Sequence, residues 1–185
     1  MTVTVGEKVY YAGKGPYLVA EVVTKVVCGA SAQFYRFVLL DQSGDEFLVP
    51  IGNVSLLPLR ALTSVNKIPE LLRRLRTRSG PTLELSTWRE RESIRSKVFT
   101  SGSAFELGDF IELLVRSSGV RKLAIDEWEA MRRARKLLIS EIAAVVGESL
   151  TAAEARIEDV LNPGHAVIAK PANKLIFSRR TESRR

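Results

Sequence analysis

A single tryptophan and two arginines lie on one side of a helix that the sequence predicts from residue 88. Thr87 and Glu90 fit the Ser/Thr-x-x-Glu capping pattern, which makes Trp88 the first helical residue. Arg91 and Arg95 follow three and seven positions later, so the indole and both guanidinium groups share one stripe. Helix-start amides and arginines bind phosphates, and a flat ring can wedge against an unstacked base step. These residue types therefore indicate contact with nucleic acid.

The same residues have a second interpretation that the spacing leaves open. Tryptophan is usually well buried, so Trp88 can instead pack between two domains. The alternating charges of residues 89–92 are also typical of a solvated helix face. A denser arginine cluster at residues 73–78 lies on an amphipathic pattern, whose wet side can simply be charged.

The formal net charge of +7 is distributed unevenly along the 185 residues. Residues 1–66 are neutral, whereas residues 67–97 carry nine basic against four acidic groups. Residues 98–169 carry eight against eleven, and the segment from Lys170 carries six against one. Concentrated positive charge favours a polyanionic partner at those places. The neutral first part requires another kind of partner.

Catalytic and metal-binding patterns are missing from the sequence. The one histidine, His165, follows a Pro-Gly pair, and metal-ligand clusters, a phosphate-binding glycine loop and a nucleophile elbow are all absent. Cys28, the one cysteine, cannot form an internal disulfide and is expected to be a buried apolar residue. We expect no enzymatic activity, no cofactor and no metal. Carboxylates distant in sequence that converge into a nuclease-like site remain a minor alternative.

The elements that position these residues change type near Pro58. Residues 6–57 are strand-like, with apolar β-branched and aromatic segments at 9–12, 17–27, 33–41 and 46–51 and a turn at 42–45. Five or so short strands fit a small closed or half-closed barrel. Capping patterns then predict helices that begin near 88, 104, 127 and 152, and a fifth over 69–78. The long helix places Trp128, Met131, Leu138, Ile142 and Val145 on one apolar face. Together the helices predict one compact bundle.

The order of these parts is itself informative. The chain contains Val5-Gly6-Glu7-Lys8-Val9-Tyr10-Tyr11, then Gly15, Val49-Pro50, Leu59-Arg60, Trp88 and Ala134-Arg135-Lys136-Leu137-Leu138. In this order and spacing, over about residues 4–162, the chain resembles the CarD/CdnL family of bacterial transcription regulators. The resemblance implies an α+β fold: a Tudor-like small β-barrel at residues 1–60, shared with transcription-repair coupling factor, followed by an all-α helical bundle at 67–162. Residues 163–185 form a basic tail outside it.

The resemblance also implies two partners, the RNA polymerase β subunit for the barrel and promoter DNA at the upstream edge of the bubble for the bundle. Trp88 matches a residue that wedges into the minor groove and stabilises the open complex. Arg89, Arg91 and Arg95 supply the neighbouring charge, since Glu90 and Ser93 stand where members commonly have Arg and Lys. Lys25, Phe47, Leu48 and Pro50 are the expected polymerase contacts, with Leu48 at a position where Arg is frequent.

The expected protein is a cytoplasmic, nucleoid-associated monomer. Residues 1–6 lack the basic and apolar regions of a signal peptide, and no run of about 18 apolar residues predicts a membrane span. The alternative is an adaptor that binds RNA polymerase or another protein without touching DNA.

Overall fold

A computed structural model describes residues 2–41, 43–76 and 88–162, with the side chain of Trp88 outside the described part. The N-terminal part is an antiparallel sheet of five strands. They are β1 (Lys8–Tyr11), β2 (Gly15–Val27), β3 (Ala30–Leu39), β4 (Glu46–Pro50) and β5 (Leu59–Ala61), in the order β4-β3-β2-β1-β5. The four predicted strand segments are confirmed to within three residues at each end. The α+β class is therefore confirmed.

The described ladders leave the sheet open. Strands β4 and β5 lie at its two edges, and no pairing between them closes a barrel among the described residues. One face of the sheet carries its own hydrophobic core: Val3, Val9, Tyr17, Val19, Phe37, Val49 and Val54. The Tudor-like barrel stays a prediction.

The hairpin between β2 and β3 extends beyond that core. Its two-residue turn places Cys28 at φ 51° and Gly29 at φ 81°, the left-handed pair that suits a tight hairpin. Cys28 is exposed at this tip, so the expectation of a buried cysteine is wrong. The apolar run before it belongs to the projecting end of β2, where Val26 and Val27 are also exposed.

Five described helices follow the sheet. They are α1 (Ile68–Arg76), α2 (Trp88–Ser101), α3 (Ala104–Ser118), α4 (Ile125–Val146) and α5 (Leu150–Leu161). The predicted starts near 88 and 104 are confirmed, whereas α4 and α5 begin two residues earlier than predicted. The Glu127 carboxylate accepts from the Ala124 amide at 2.9 Å, and the Ser149 hydroxyl accepts from the Ala152 amide at 3.1 Å. These N-caps lie two residues before the ones that the sequence pattern favoured.

The helical core lies along a seam of α4. Fully or almost fully buried side chains share it: Leu71, Leu107, Ile111, Leu114, Ala134, Leu138, Ile142 and Ile157. Trp128 is 50% exposed, so its predicted place on the core face is wrong. The buried seam of α4 contains Ala130 and Ala134. Trp128 precedes Ala130 by two positions, so it points to the other side of the helix. None of the described helices combines the length and apolar character that crossing a membrane requires.

Helix α4 also packs against the sheet through polar contacts. Lys8 donates to the Ala144 carbonyl at 3.0 Å, and Arg133 donates to the Gly13 carbonyl at 2.9 Å. Lys136 lies 3.1 Å from the carboxylate of Asp41, whose side chain is nearly buried. The two halves of the chain therefore share a specific, hydrogen-bonded interface.

Candidate nucleic-acid interface

The N-terminal end of α2 lies where the sequence predicts it. Trp88 is the first residue of the helix, Arg89 is exposed beside it, and the predicted cap Thr87 falls outside the described residues. A helix start carries amide groups without intrahelical partners, which favour an anion. The backbone needed for the predicted contact is thus in place, and the wedge itself stays a prediction.

Arg91 and Arg95 turn toward the beginning of α4. Arg91 Nε lies 3.4 Å from Oε1 of Glu127, and Arg95 Nη1 lies 3.4 Å from Oδ2 of Asp126. Arg95 also pairs with Glu92 on its own helix. Each of the two arginine side chains is about one-third exposed. Their charge is partly neutralised within the molecule, which the sequence stripe did not indicate.

Glu127 is the centre of this ion-pair cluster. It is 6% exposed and receives two hydrogen bonds from Arg121, each at 2.7 Å, in addition to the amide of Ala124. The hydrogen bond from Arg121 lowers the pKa of Glu127, against the opposing effect of its burial. The carboxylate therefore stays ionised and holds Arg91 by charge. Sequence reasoning missed Glu127 because its role depends on α2 crossing the start of α4.

The arginine cluster on α1 is the wet side of an amphipathic helix. Leu71 and Leu75 are buried, whereas Arg73, Arg74 and Arg76 are exposed. Arg74 pairs with Asp109 at 2.8 Å and lies over the ring of Phe105. Arg78 lies outside the described residues.

Three of the four expected polymerase contacts lie on the edge strand β4, and Lys25 lies on β2, which β3 separates from β4. The four residues occupy two different faces of the sheet. Residues paired across antiparallel strands share a face of the sheet. Leu48, Pro50 and Lys25 pair with three β3 residues that lie on one face of that strand: Arg36, Phe34 and Ala32. Leu48, Pro50 and Lys25 therefore lie on the same face of the sheet. We call these three residues the outer face.

Phe47 points to the opposite side of β4 from the outer face. Its ring stacks on Phe37 at 5.0 Å and meets Tyr17 edge-on at the same distance. Phe47 is thus part of the sheet core. The structure therefore brings three of the four residues to one surface and separates the fourth from them.

Arg36 occupies the outer face directly beside Leu48. Its guanidinium bridges Glu21 and Glu46, each at 2.8 Å. The position where the resemblance anticipates an arginine thus carries a leucine, and the neighbouring arginine is held by two carboxylates. The outer face is more apolar and less basic than the sequence resemblance implies.

Both candidate sites are surfaces of the molecule. Within the described ranges, no group of three or more His, Cys, Asp or Glu side chains is arranged to hold a metal ion. An antiparallel sheet, joined through a polar interface to a helical bundle with an arginine-bearing helix, defines a two-part α+β protein.

A comparison with protein families identifies that class further. Residues 70–158 match the family model of the CarD C-terminal domain. This match, over 89 of the 185 residues, supports membership of the CarD/CdnL family. The match begins in α1, ends in α5 and contains the whole of α2. The CarD C-terminal domain indicates a CarD-like, transcription-related protein. The CarD family is a family of transcription factors and is associated in general with RNA polymerase.

Proposed function

We propose that this protein is a transcription regulator that binds the RNA polymerase β subunit through its sheet and promoter DNA through α2. Contact at the upstream edge of the bubble would stabilise the open complex. The observation that carries the proposal is that the matched CarD C-terminal domain contains all of α2, with Trp88 as its first residue. In this proposal residues 1–60 form the Tudor-like polymerase-binding domain, and residues 67–162 form the DNA-binding domain.

The DNA side of the proposal depends on the first turn of α2. Its amides and the exposed Arg89 would meet phosphates while the indole of Trp88 enters the minor groove. Unstacking a base step costs a few kcal/mol, so a wedge favours duplex that is already melting. Because Arg91 and Arg95 are engaged with acidic side chains, we expect weak DNA affinity for the isolated protein.

The polymerase side depends on the outer face and the edge strand. Among the described strands β4 pairs with β3 alone, so its other edge can receive a strand from a partner. Leu48 and Pro50 lie on that edge strand, and Lys25 lies on the same face of the sheet, on β2. Docking there would raise the local concentration of promoter DNA around α2, so two weak contacts can act as one strong one.

The decisive experiment compares the two tryptophans in an open-complex lifetime assay with purified polymerase. We expect Trp88→Ala to keep polymerase binding and to lose open-complex stabilisation, because only the wedge is removed. Trp128→Ala is the matched control, since Trp128 is half-exposed on α4, outside the proposed contact. An open-complex lifetime that Trp88→Ala leaves unchanged would refute the wedge.

An adaptor that binds two proteins is the second candidate function. The pairing of Arg91 with Glu127 and of Arg95 with Asp126 favours it, because these pairs remove cationic charge from the predicted DNA contact. Acrylamide quenching separates the two functions, provided that the exposed Trp128 is first replaced by Phe. A Trp88 shielded from acrylamide supports the adaptor, and an accessible one supports DNA contact.

A further inference from the structure

A polar cluster joins the two halves of the chain at the C-terminal end of α2. Arg60 on β5 donates to both carboxylate oxygens of Glu141 on α4, at 2.8 and 2.7 Å, and to the carbonyl of Gly102. Thr63 donates to the same carboxylate from its amide at 2.9 Å and its hydroxyl at 2.7 Å. Glu141 has no exposed surface. Arg60 therefore contacts the sheet, the end of α2 and α4 at once.

Tyr10 on β1 closes this cluster from the sheet side. The guanidinium of Arg60 lies over its ring, 3.9 Å from the ring centre, and Tyr10 is fully buried. A Cβ at Gly102 would come within 2.9 Å of the Ala12 Cα and 3.1 Å of the Tyr10 ring. Gly102 also has a φ of +63°, which disfavours other residues. The end of α2 is thus pressed directly against β1.

The rest of α2 is attached more loosely. Among the side chains of α2 that the structure describes, from residue 89 onward, Val98 is the one buried apolar residue, and Ile94 and Phe99 are partly buried. Its N-terminal half meets α4 through the ion pairs of Arg91 and Arg95, which salt and water screen. The direction of the helix is consequently set at its Gly102 end.

A small tilt at this end has a large effect at the other. Fourteen residues make α2 about 21 Å long, so a tilt of about 10° moves Trp88 by about 3.5 Å. That displacement equals about one nucleotide step of a DNA strand. Control of the helix direction is thus control of which base step Trp88 can reach.

We propose that Arg60 is a positioning residue: with Glu141 and Gly102 it fixes the direction of α2 relative to the sheet. A regulator docked through its sheet then presents Trp88 at one defined base step. This last consequence rests on the proposed function, whereas the positioning of α2 does not.

The test measures the distance between the sheet and α2 in the full chain by pulsed electron paramagnetic resonance. Cys28 is exposed and is the one cysteine, so spin labels at Cys28 and at Ser93→Cys on α2 report the helix direction. Lysine keeps the charge of Arg60 without its two-pronged contact. We expect Arg60→Lys to widen the distance distribution about twofold.

Two further variants complete the test. Arg156 on α5 makes a similar bidentate pair with Glu148, which lies between α4 and α5, and Arg156→Lys should keep the wild-type width. Glu141→Gln keeps the side-chain shape and removes the charge, so it serves if Arg60→Lys fails to fold. Wild-type widths in both cluster variants, with wild-type circular dichroism spectra, would overturn the positioning role.

The open-complex assay separates this inference from the proposed function. Unlabelled Arg60→Lys should bind polymerase normally and shorten the lifetime about threefold or more, because the wedge is misplaced. Arg156→Lys should match the wild type. A widened distribution with a normal lifetime overturns the link to Trp88. If Trp88→Ala also leaves the open-complex lifetime unchanged, the proposed function is contradicted, whereas the positioning of α2 is not.

Discussion

Glu127 combines three structural roles at one carboxylate. It accepts the Ala124 amide at the start of α4, pairs with Arg121 and attracts Arg91 on α2. Charge-assisted hydrogen bonds to a nearly buried group are stronger than exposed ion pairs. Glu127 therefore stabilises the start of α4 and also contacts α2 through Arg91.

We predict that Glu127→Gln lowers the free energy of unfolding by about 1.5–3 kcal/mol at neutral pH. The folded pKa of Glu127 lies below its unfolded value, since Arg121 hydrogen-bonds the charged form. Its stabilisation is present above the unfolded pKa and is lost as pH falls through the folded one. Urea unfolding should show the difference from wild type shrinking as the solution is acidified.

Glu129→Gln is the matched control for that measurement. Glu129 is exposed on the same helix, so its replacement should change stability by less than about 0.5 kcal/mol. If the difference in the free energy of unfolding between Glu127→Gln and wild type stayed constant on acidification, the charge of Glu127 would not be the source of its stabilisation.

At the scale of elements, the β4 edge and the start of α2 are both surfaces left available by the packing. Strand β4 has a described neighbour on one side only, and its residues alternate between the sheet core and the outer face. Phe47 stabilises the sheet while Leu48 and Pro50 remain accessible on the other side. Binding and folding roles are thus divided between neighbouring residues of one strand.

We predict that Leu48→Ser weakens polymerase binding about tenfold, because it removes an apolar contact from the outer face. Val26→Ser is the control: Val26 is 74% exposed, and it neighbours Lys25 in β2, so it points to the opposite face. Binding to immobilised polymerase by biolayer interferometry measures both. Equal affinities for the two variants would exclude the outer face as the docking surface.

At the scale of the whole molecule, two hydrophobic cores are joined through one polar interface. The sheet core and the helical core contain different residues, and Tyr10 from the sheet packs with the helical one. Arg60, Glu141 and Thr63 supply the hydrogen bonds around it. Coupling between the halves therefore depends on a few buried groups.

We predict that the wild type unfolds in one calorimetric transition and that Glu141→Ala separates it into two. Removing one partner of a buried ion pair costs about 3–5 kcal/mol, and here that loss falls on the interface between the cores. Differential scanning calorimetry measures the number of transitions. The control Glu129→Ala, at an exposed position of the same helix, should unfold like the wild type, and a single transition for Glu141→Ala would contradict the coupling.

Much of the architecture follows from local patterns. Segments rich in β-branched and aromatic residues placed four strands to within three residues, because such side chains favour strands. Capping residues placed the start of α3 correctly because a cap is a contact within one turn. At α4 the N-cap is Ala124, whose amide donates to Glu127, and at α5 the N-cap is Ser149, so both helices begin two residues before the predicted positions.

The sequence by itself therefore determined the two-part α+β order and the start of α2 at Trp88, because short-range periodicity and capping encode both. Only the tertiary structure decided that Trp128 and Cys28 are exposed and that Arg91 and Arg95 face carboxylates of α4. It also decided that Arg60 meets Glu141, 81 positions away. Such pairings depend on which elements pack together, and burial energy across the whole chain selects that arrangement.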